Sequence, residues 1–352
     1  MTSRLGGLRL EKLRAGCRAS LSRLITLSES SRADHRAEAD LILEEVARGR
    51  SGNRHRGSDV TAAAAPWTVR IGISGPPGAG KSTLIEALGA HVIEQGHRLA
   101  VLAIDPSSIR TGGSILGDKT RMATLAHHPD AYIRPSPTRG ALGGVAAATD
   151  EAALLCEEAG FNVVIVETVG VGQSEVDVDD LTDMLVLLVA PAGGDELQGV
   201  KKGIVELADL VVVNKADGAM LPAAQHASVD YKRALQLLRP KTPGWTPLVQ
   251  CVSALEREGV DTLWSTVLDF RANVEASGVL AETRAAQRRK AMWTIVRSRM
   301  LEVVAKSAEL RTRASELERA VSAGRTTPRR AAAQMVKWCM GSGDGGGRGE
   351  GQ

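Results

Sequence analysis

Aromatic side chains are scarce: Phe, Trp and Tyr together make up 3% of the 352 residues. A core must therefore rest on Leu, Val, Ile and Ala, and with 43% hydrophobic residues there is enough material for a sizeable one. An excess of one charge is also missing. The formal net charge of +3 is too small to point to nucleic acid or an anionic membrane surface as a partner. No apolar run reaches the ~18 residues that a membrane span requires, so a soluble protein is expected. The four cysteines, Cys17, Cys156, Cys251 and Cys339, lie far apart with no C-x-x-C pair. That spacing suits reduced thiols in the cytoplasm and argues against a structural disulfide or a zinc site. The run from Arg4 to Arg23 has the Arg, Leu and Ser content of a transit peptide. Glu11 interrupts it, however, and the pattern passes smoothly into a helical stretch, so a cytoplasmic location is the expectation.

Residues 8 to 50 read as helices, with Leu21, Leu24 and Ile25 on one face and Leu41, Leu43 and Val46 after a polar gap. The Gly, Ser, Arg and small-residue stretch up to Pro66 reads as a linker, which closes an amino-terminal helical extension over 1–66. Short β-branched runs then alternate with helical segments over 67–262, the pattern of an α/β domain whose mostly parallel sheet is flanked by helices. The strand candidates are Val69–Ser74, Leu99–Ile104, Val163–Glu167, Leu185–Ala190, Leu210–Asn214 and Leu248–Val252. Residues 263–340 read as a helical arm, in which Met292, Val296, Met300, Val303 and Val304 form an apolar stripe suited to core or to a subunit contact. The Gly-rich, charged end over 341–352 is expected to be disordered.

Directly after the first strand, Gly75-Pro76-Pro77-Gly78-Ala79-Gly80-Lys81-Ser82 fits G-x-x-x-x-G-K-[ST], and Thr83 continues into a helix. The glycines let the backbone wrap round a β-phosphate with its N–H groups inward, along a path that side chains would block. Amides at the helix start add partial positive charge. Lys81 is placed to reach the β- and γ-phosphates and the Ser82 hydroxyl to ligate Mg²⁺. This motif alone leaves GTPase, ATPase and kinase open.

The base is decided by Asn214-Lys215-Ala216-Asp217, an N-K-x-D pattern closing a strand. A carboxylate at position 217 can accept from guanine N1–H and N2–H₂ together, a pair that adenine does not offer. Two hydrogen bonds to a charged acceptor, at ~1.5–3 kcal/mol each, amount to roughly a hundredfold to ten-thousandfold preference for guanine. Lys215 would lie along the base plane and Asn214 would tie this loop to the phosphate loop. Ser253-Ala254-Leu255, after the last strand, is similar to the loop whose backbone contacts guanine O6 in GTPases. GTP or GDP with Mg²⁺ is the expected ligand, which makes 67–262 a G domain.

Three acids compete for the metal, Asp105, Asp118 and Glu167, and Mg²⁺ keeps enough of its waters that one or two direct ligands suffice. Glu167 and Asp105 are the favoured pair. Glu167-Thr168-Val169-Gly170 reads as a variant of the D-x-x-G switch, in which Gly170 can offer its N–H to the γ-phosphate. Val171 follows, where Ras-like proteins carry the glutamine that orients water. Slow intrinsic hydrolysis is therefore expected, with the missing group supplied by a partner, a second subunit, or Gln173 or Arg121 of this chain.

At these residues the sequence resembles the MeaB/ArgK family within the SIMIBI class of P-loop GTPases. The matching blocks are Gly75–Thr83, Ala103–Ser108, Gly112–Met122, Tyr132–Val145, Val164–Glu175, Ala190–Lys202 and Asn214–Gly218, with further likeness at Ile25–Ser30 and Thr326–Pro328. The resemblance implies a homodimer joined through the carboxyl-terminal arm. It also implies a GTP-hydrolysing chaperone of an adenosylcobalamin-dependent acyl-CoA mutase, gating cofactor loading and protecting the mutase. It places Asp105, Asp118 and Glu167 in the Mg²⁺ and switch machinery. Ala190–Lys201 becomes an extra switch loop, with Asp195, Lys201 and Arg121 as ion-pair candidates. Two other activities stay open: a metallochaperone GTPase for nickel or cobalt enzymes, for which the scattered cysteines and the lone His127-His128 pair offer few ligands, and a transport-system kinase, for which no acceptor-site signature is present.

Overall fold

A computed structural model describes residues 9–30, 32–55, 67–105, 122–137, 144–168, 178–191 and 202–341. The chain forms two compact units, Met1–Ala291 and Met292–Gln352. The first is built on a seven-stranded sheet: β1 (Val69–Ser74), β2 (Leu99–Asp105), β3 (Ala131–Pro137), β4 (Val163–Thr168), β5 (Met184–Val189), β6 (Leu210–Val213) and β7 (Leu248–Cys251). All pairings are parallel, in the order β3-β2-β4-β1-β5-β6-β7. Every residue of β1, β4, β5 and β6 is buried, as parallel strands covered by helices on both faces require.

The helices are α1 (Arg18–Ser28), α2 (Ala33–His55), α3 (Lys81–Glu94), α4 (Ala123–His127), α5 (Gly144–Glu158), α6 (Lys202–Leu207), α7 (Leu221–Gln236), α8 (Val260–Ala276), α9 (Val279–Lys306), α10 (Ala308–Ser322) and α11 (Pro328–Gly341). Successive strand residues point to opposite faces. Val69, Ile71 and Ile73 accordingly pack with Leu84 and Leu88 of α3 and Leu263, Val267 and Phe270 of α8. On the other face Leu102, Val164 and Val166 meet Leu155 of α5, Leu21, Leu24 and Ile25 of α1, and Ile42 and Val46 of α2. The amino-terminal helices thus share the hydrophobic core of the sheet.

Each of the six strands expected from the sequence lies within one residue of its place. The seventh, β3, was not among them because Pro135 and Pro137 sit inside it, and proline cannot donate to a ladder. Its position resolves the conflict: β3 is an edge strand, paired only with β2. The chain winds from β1 toward β2 and β3 on one side and toward β5, β6 and β7 on the other. The carboxyl end of β1 is therefore a switch point, where open α/β sheets bind ligands.

The opposite, amino end of the sheet is closed by buried charge. Arg70 bonds Glu157 at 2.8 Å and Asp150 at 2.7 Å, and its backbone N–H donates to Asp183 at 2.8 Å. Arg284 grips Asp183 at 2.8 and 2.6 Å. Burial opposes both guanidinium charges, yet the facing carboxylates outweigh it and hold both pKa values above the ordinary one. Beside them Lys241 reaches Asp179 at 2.6 Å and Asp209 at 2.8 Å.

In the second unit, α10 begins at Ser307, whose Oγ accepts from the Leu310 N–H at 3.2 Å. Arg313 lies over the Trp338 ring on α11. Of the apolar stripe on α9, Met292, Val296, Met300 and Val303 are exposed, together with Trp293 and Leu301, so these residues are not core of the described chain. No described helix is long and apolar enough to cross a membrane.

Candidate functional site

The glycine-rich loop joins β1 to α3 at the switch point. Two of its glycines are fixed by close approach: a Cβ on Gly75 would stand 2.0 Å from Leu188 O on β5, and one on Gly80 2.5 Å from Asn214 Nδ2. Gly78 and Gly80 also take positive φ, 82° and 94°, which favours glycine. Gly80 is the N-cap of α3 and offers no side-chain acceptor, so the first amides of that helix have no side-chain cap and can serve an anion. Lys81 is buried, and its Nζ donates to Gly75 O at 2.8 Å and Pro76 O at 3.2 Å, folding the ammonium over the loop that starts its own helix.

Asn214 joins three segments. From the end of β6 its Nδ2 donates to Ala79 O at 2.9 Å, its Oδ1 accepts from the Ala254 N–H at 3.1 Å, and its own N–H bonds Val189 O at 2.8 Å. One buried amide thereby fixes the spacing between the phosphate loop, the N-K-x-D segment and the loop after β7. Lys215 follows with a φ of 59°, which turns the chain sharply before Asp217. The Asp217 carboxylate accepts from Ser253 Oγ, which itself accepts from the Glu256 N–H at 3.1 Å. Ser253 and Ala254 are buried while the Leu255 side chain is 74% exposed, so what this loop offers inward is backbone and the Ser253 hydroxyl. Glu258 also supports it, through a Ser253 N–H to Glu258 O bond of 3.0 Å. Nothing in the sequence marked Glu258 for that part, since its contribution is a carbonyl.

Glu167 is buried near the end of β4, level with Ile73 of β1 and Ala103 of β2. Its Oε1 accepts from Ser82 Oγ at 3.3 Å. The next residue, Thr168, donates to Ser74 Oγ at 3.1 Å, a tie between the ends of β1 and β4 that the motifs did not announce. Asp105 ends β2 beside that pair in the register. A serine hydroxyl and a carboxylate within reach of each other form an all-oxygen donor set, which fits a hard cation such as Mg²⁺. Asp118, Arg121, Gly170, Gln173, Asp195 and Lys201 lie outside the described residues.

The model of a family described as "Methylmalonyl Co-A mutase-associated GTPase MeaB" matches residues 21–309. The chain belongs to this family. Like other MeaB proteins it is a GTPase, a guanine-nucleotide enzyme on a P-loop α/β fold. It is similar to a probable GTPase of Mycobacterium tuberculosis (strain H37Rv), with 50% identity over 325 residues that cover 92% of each chain. It is similar also to the mouse protein described as "Methylmalonic aciduria type A homolog, mitochondrial", with 47% identity over 322 residues, 92% of this chain and 76% of that one. Among solved structures, an LAO/AO transport system kinase matches with a TM-score of 0.72 and 33% identity, covering 95% of this chain and 97% of the other.

Proposed function

We propose that this MeaB-family GTPase is a chaperone of an adenosylcobalamin-dependent acyl-CoA mutase, using GTP hydrolysis to gate cofactor loading and to protect the mutase. The partner is the one that the family's description names, a mutase of the methylmalonyl-CoA type. The observation that carries the nucleotide chemistry is the Asn214 junction, which holds the phosphate loop and the base-side loops at one spacing.

In this reading the amides of Gly75–Thr83 wrap the phosphates, and Lys81 exchanges its bonds to Gly75 O and Pro76 O for the β- and γ-phosphates. Asp217 accepts from guanine N1–H and N2–H₂, Lys215 lies along the base, and backbone of Ser253-Ala254-Leu255 serves O6. Ser82 and Glu167, with Asp105 and Asp118 as further carboxylates, would hold Mg²⁺, which neutralises charge on the β- and γ-oxygens when bound. Gly170 offers its N–H to the γ-phosphate. Valine at 171 cannot orient a water molecule, so intrinsic turnover is slow. The missing group comes from the mutase, from a second copy, or from Gln173 or Arg121. The exposed stripe on α9 supports a homodimer, since Met292, Val296, Met300 and Val303 recur on one face of the helix as an apolar surface suited to a subunit contact.

Adding a cobalamin-dependent acyl-CoA mutase is expected to raise GTP turnover. An unchanged rate in a mixture shown to contain the complex would count against the chaperone function. The kinase reading that the structural relative's name suggests is tested alongside: γ-labelled GTP should yield only free phosphate, with no label on a binding-protein acceptor.

A further inference from the structure

The sheet ends on a strand with one neighbour at each side, β3 and β7. Unpaired main-chain groups along such an edge invite another strand unless proline, charge or a covering segment blocks them. β3 carries Pro135 and Pro137, whereas Leu248–Cys251 of β7 contains neither proline nor charge and is exposed or half-buried throughout. The Leu248 N–H bonds Asp209 O at 3.4 Å and the Val252 N–H bonds Val213 O at 2.9 Å. Successive residues of a strand direct their main-chain groups to opposite sides, so Val249 and Cys251 turn theirs away from β6. The Cys251 carbonyl is closed off, since a Cβ on Gly259 would stand 2.9 Å from it. The Val249 N–H and C=O and the Cys251 N–H have no backbone partner among the described residues.

Beside this edge lies a groove of about 650 Å³ between β7 and the end of α7, with Leu235, Leu238, Pro240, Pro247 and Val249 among its lining. An extended chain laid along β7 would bond the Val249 main chain and set every second side chain over that apolar floor. Charge decides which chain fits. No acid occurs from Tyr231 to Leu255, and Lys232, Arg233 and Arg239 are exposed. Lys232 and Arg239 form no ion pair among the described residues, and Arg233 comes no nearer to Asp230 than 3.8 Å. A second copy docked edge to edge about a twofold axis would bring this basic rim against itself. A foreign strand with carboxylates at its ends would match it.

We propose that the β7 edge and its groove are a docking surface for an extended segment of a partner protein, apolar at alternate positions and acidic at its ends. The surface stands apart from the nucleotide chemistry. The test is titration of the full-length protein with blocked peptides of about eight residues, alternating valine and threonine, with glutamates or with lysines at both ends. The glutamate-ended peptide is expected to bind about tenfold or more tightly than the lysine-ended one, and a proline at its centre should cost about tenfold. On binding, hydrogen–deuterium exchange at 248–251 should slow about threefold or more. Lys232→Glu/Arg239→Glu should reverse the preference between the two peptides, with the same sedimented mass as the parent. Equal binding of both peptides, unchanged exchange at 248–251, or no binding up to about 1 mM would overturn the proposal. So would a fall in mass of the double variant, which would assign the groove to a second copy. The parent titration decides the matter even if the double variant fails to fold.

Discussion

The two ends of the β-sheet use the same side-chain chemistry to opposite effect. At the amino end buried Arg70, Glu157 and Asp183 and half-buried Arg284 close on one another, and Lys241 is shared between Asp179 and Asp209. At the carboxyl end Lys81 Nζ donates to two loop carbonyls, Ser82 Oγ donates to Glu167, and Asp217 accepts from Ser253 Oγ. A carboxylate and a guanidinium that satisfy each other have nothing left for a ligand. An ammonium resting on carbonyls can trade them for phosphate oxygens. Charge matched within the fold makes the lower edge a fastening, whereas in the proposed function the upper edge exchanges its bonds for those of a nucleotide.

Substitutions can break that contrast, and the largest effect is expected below. Arg70→Met would take from Glu157 and Asp150 the guanidinium they share, a loss of about 3–5 kcal/mol. Chemical denaturation should show it, with GTP turnover per folded molecule little changed. Lys81→Ala should do the reverse: turnover falls by about 10²–10³ while the denaturation midpoint barely moves. Asn214→Ala sits where the two behaviours meet. It orphans Ala79 O and the Ala254 N–H at a cost of about 1–3 kcal/mol, and it should weaken GDP binding through loss of loop spacing.

The smallest effect is in pH. Burial lowers the Lys241 pKa, but Asp209 and Asp179 outweigh burial and hold it above the ordinary lysine value. Its contribution is therefore complete below the unfolded lysine pKa of ~10.4, and it is lost as pH rises through the higher folded value. Lys241→Arg should retain stability at alkaline pH where the parent loses it, as thermal melts across that range would show.

Legibility followed the same division. Gly75–Ser82 and Asn214–Asp217 are consecutive residues at fixed spacing, so the upper edge was open to reading from the chain alone. The lower edge joins Arg70, Asp150, Glu157, Asp183 and Arg284, which no local pattern relates. The same holds for Glu86, whose Oε1 caps the Thr124 and Leu125 amides at the start of α4. Where a strand was overlooked, at β3, local chemistry pointed the wrong way: two prolines are tolerable only because the strand has one neighbour. The apolar stripe on α9 was visible by its period, but exposure of Trp293 and Met300 depends on what the rest of the chain covers, and a sequence does not state that.

The central claim is that a carboxylate at the end of one loop selects guanine for a phosphate loop held at fixed distance from it. Calorimetric titration of the full-length protein with GDP and with ADP in the presence of Mg²⁺ tests this most directly. GDP should bind about a hundredfold to ten-thousandfold more tightly than ADP, and Asp217→Ala should remove most of that margin. Equal affinity for the two nucleotides in the parent protein would contradict the account.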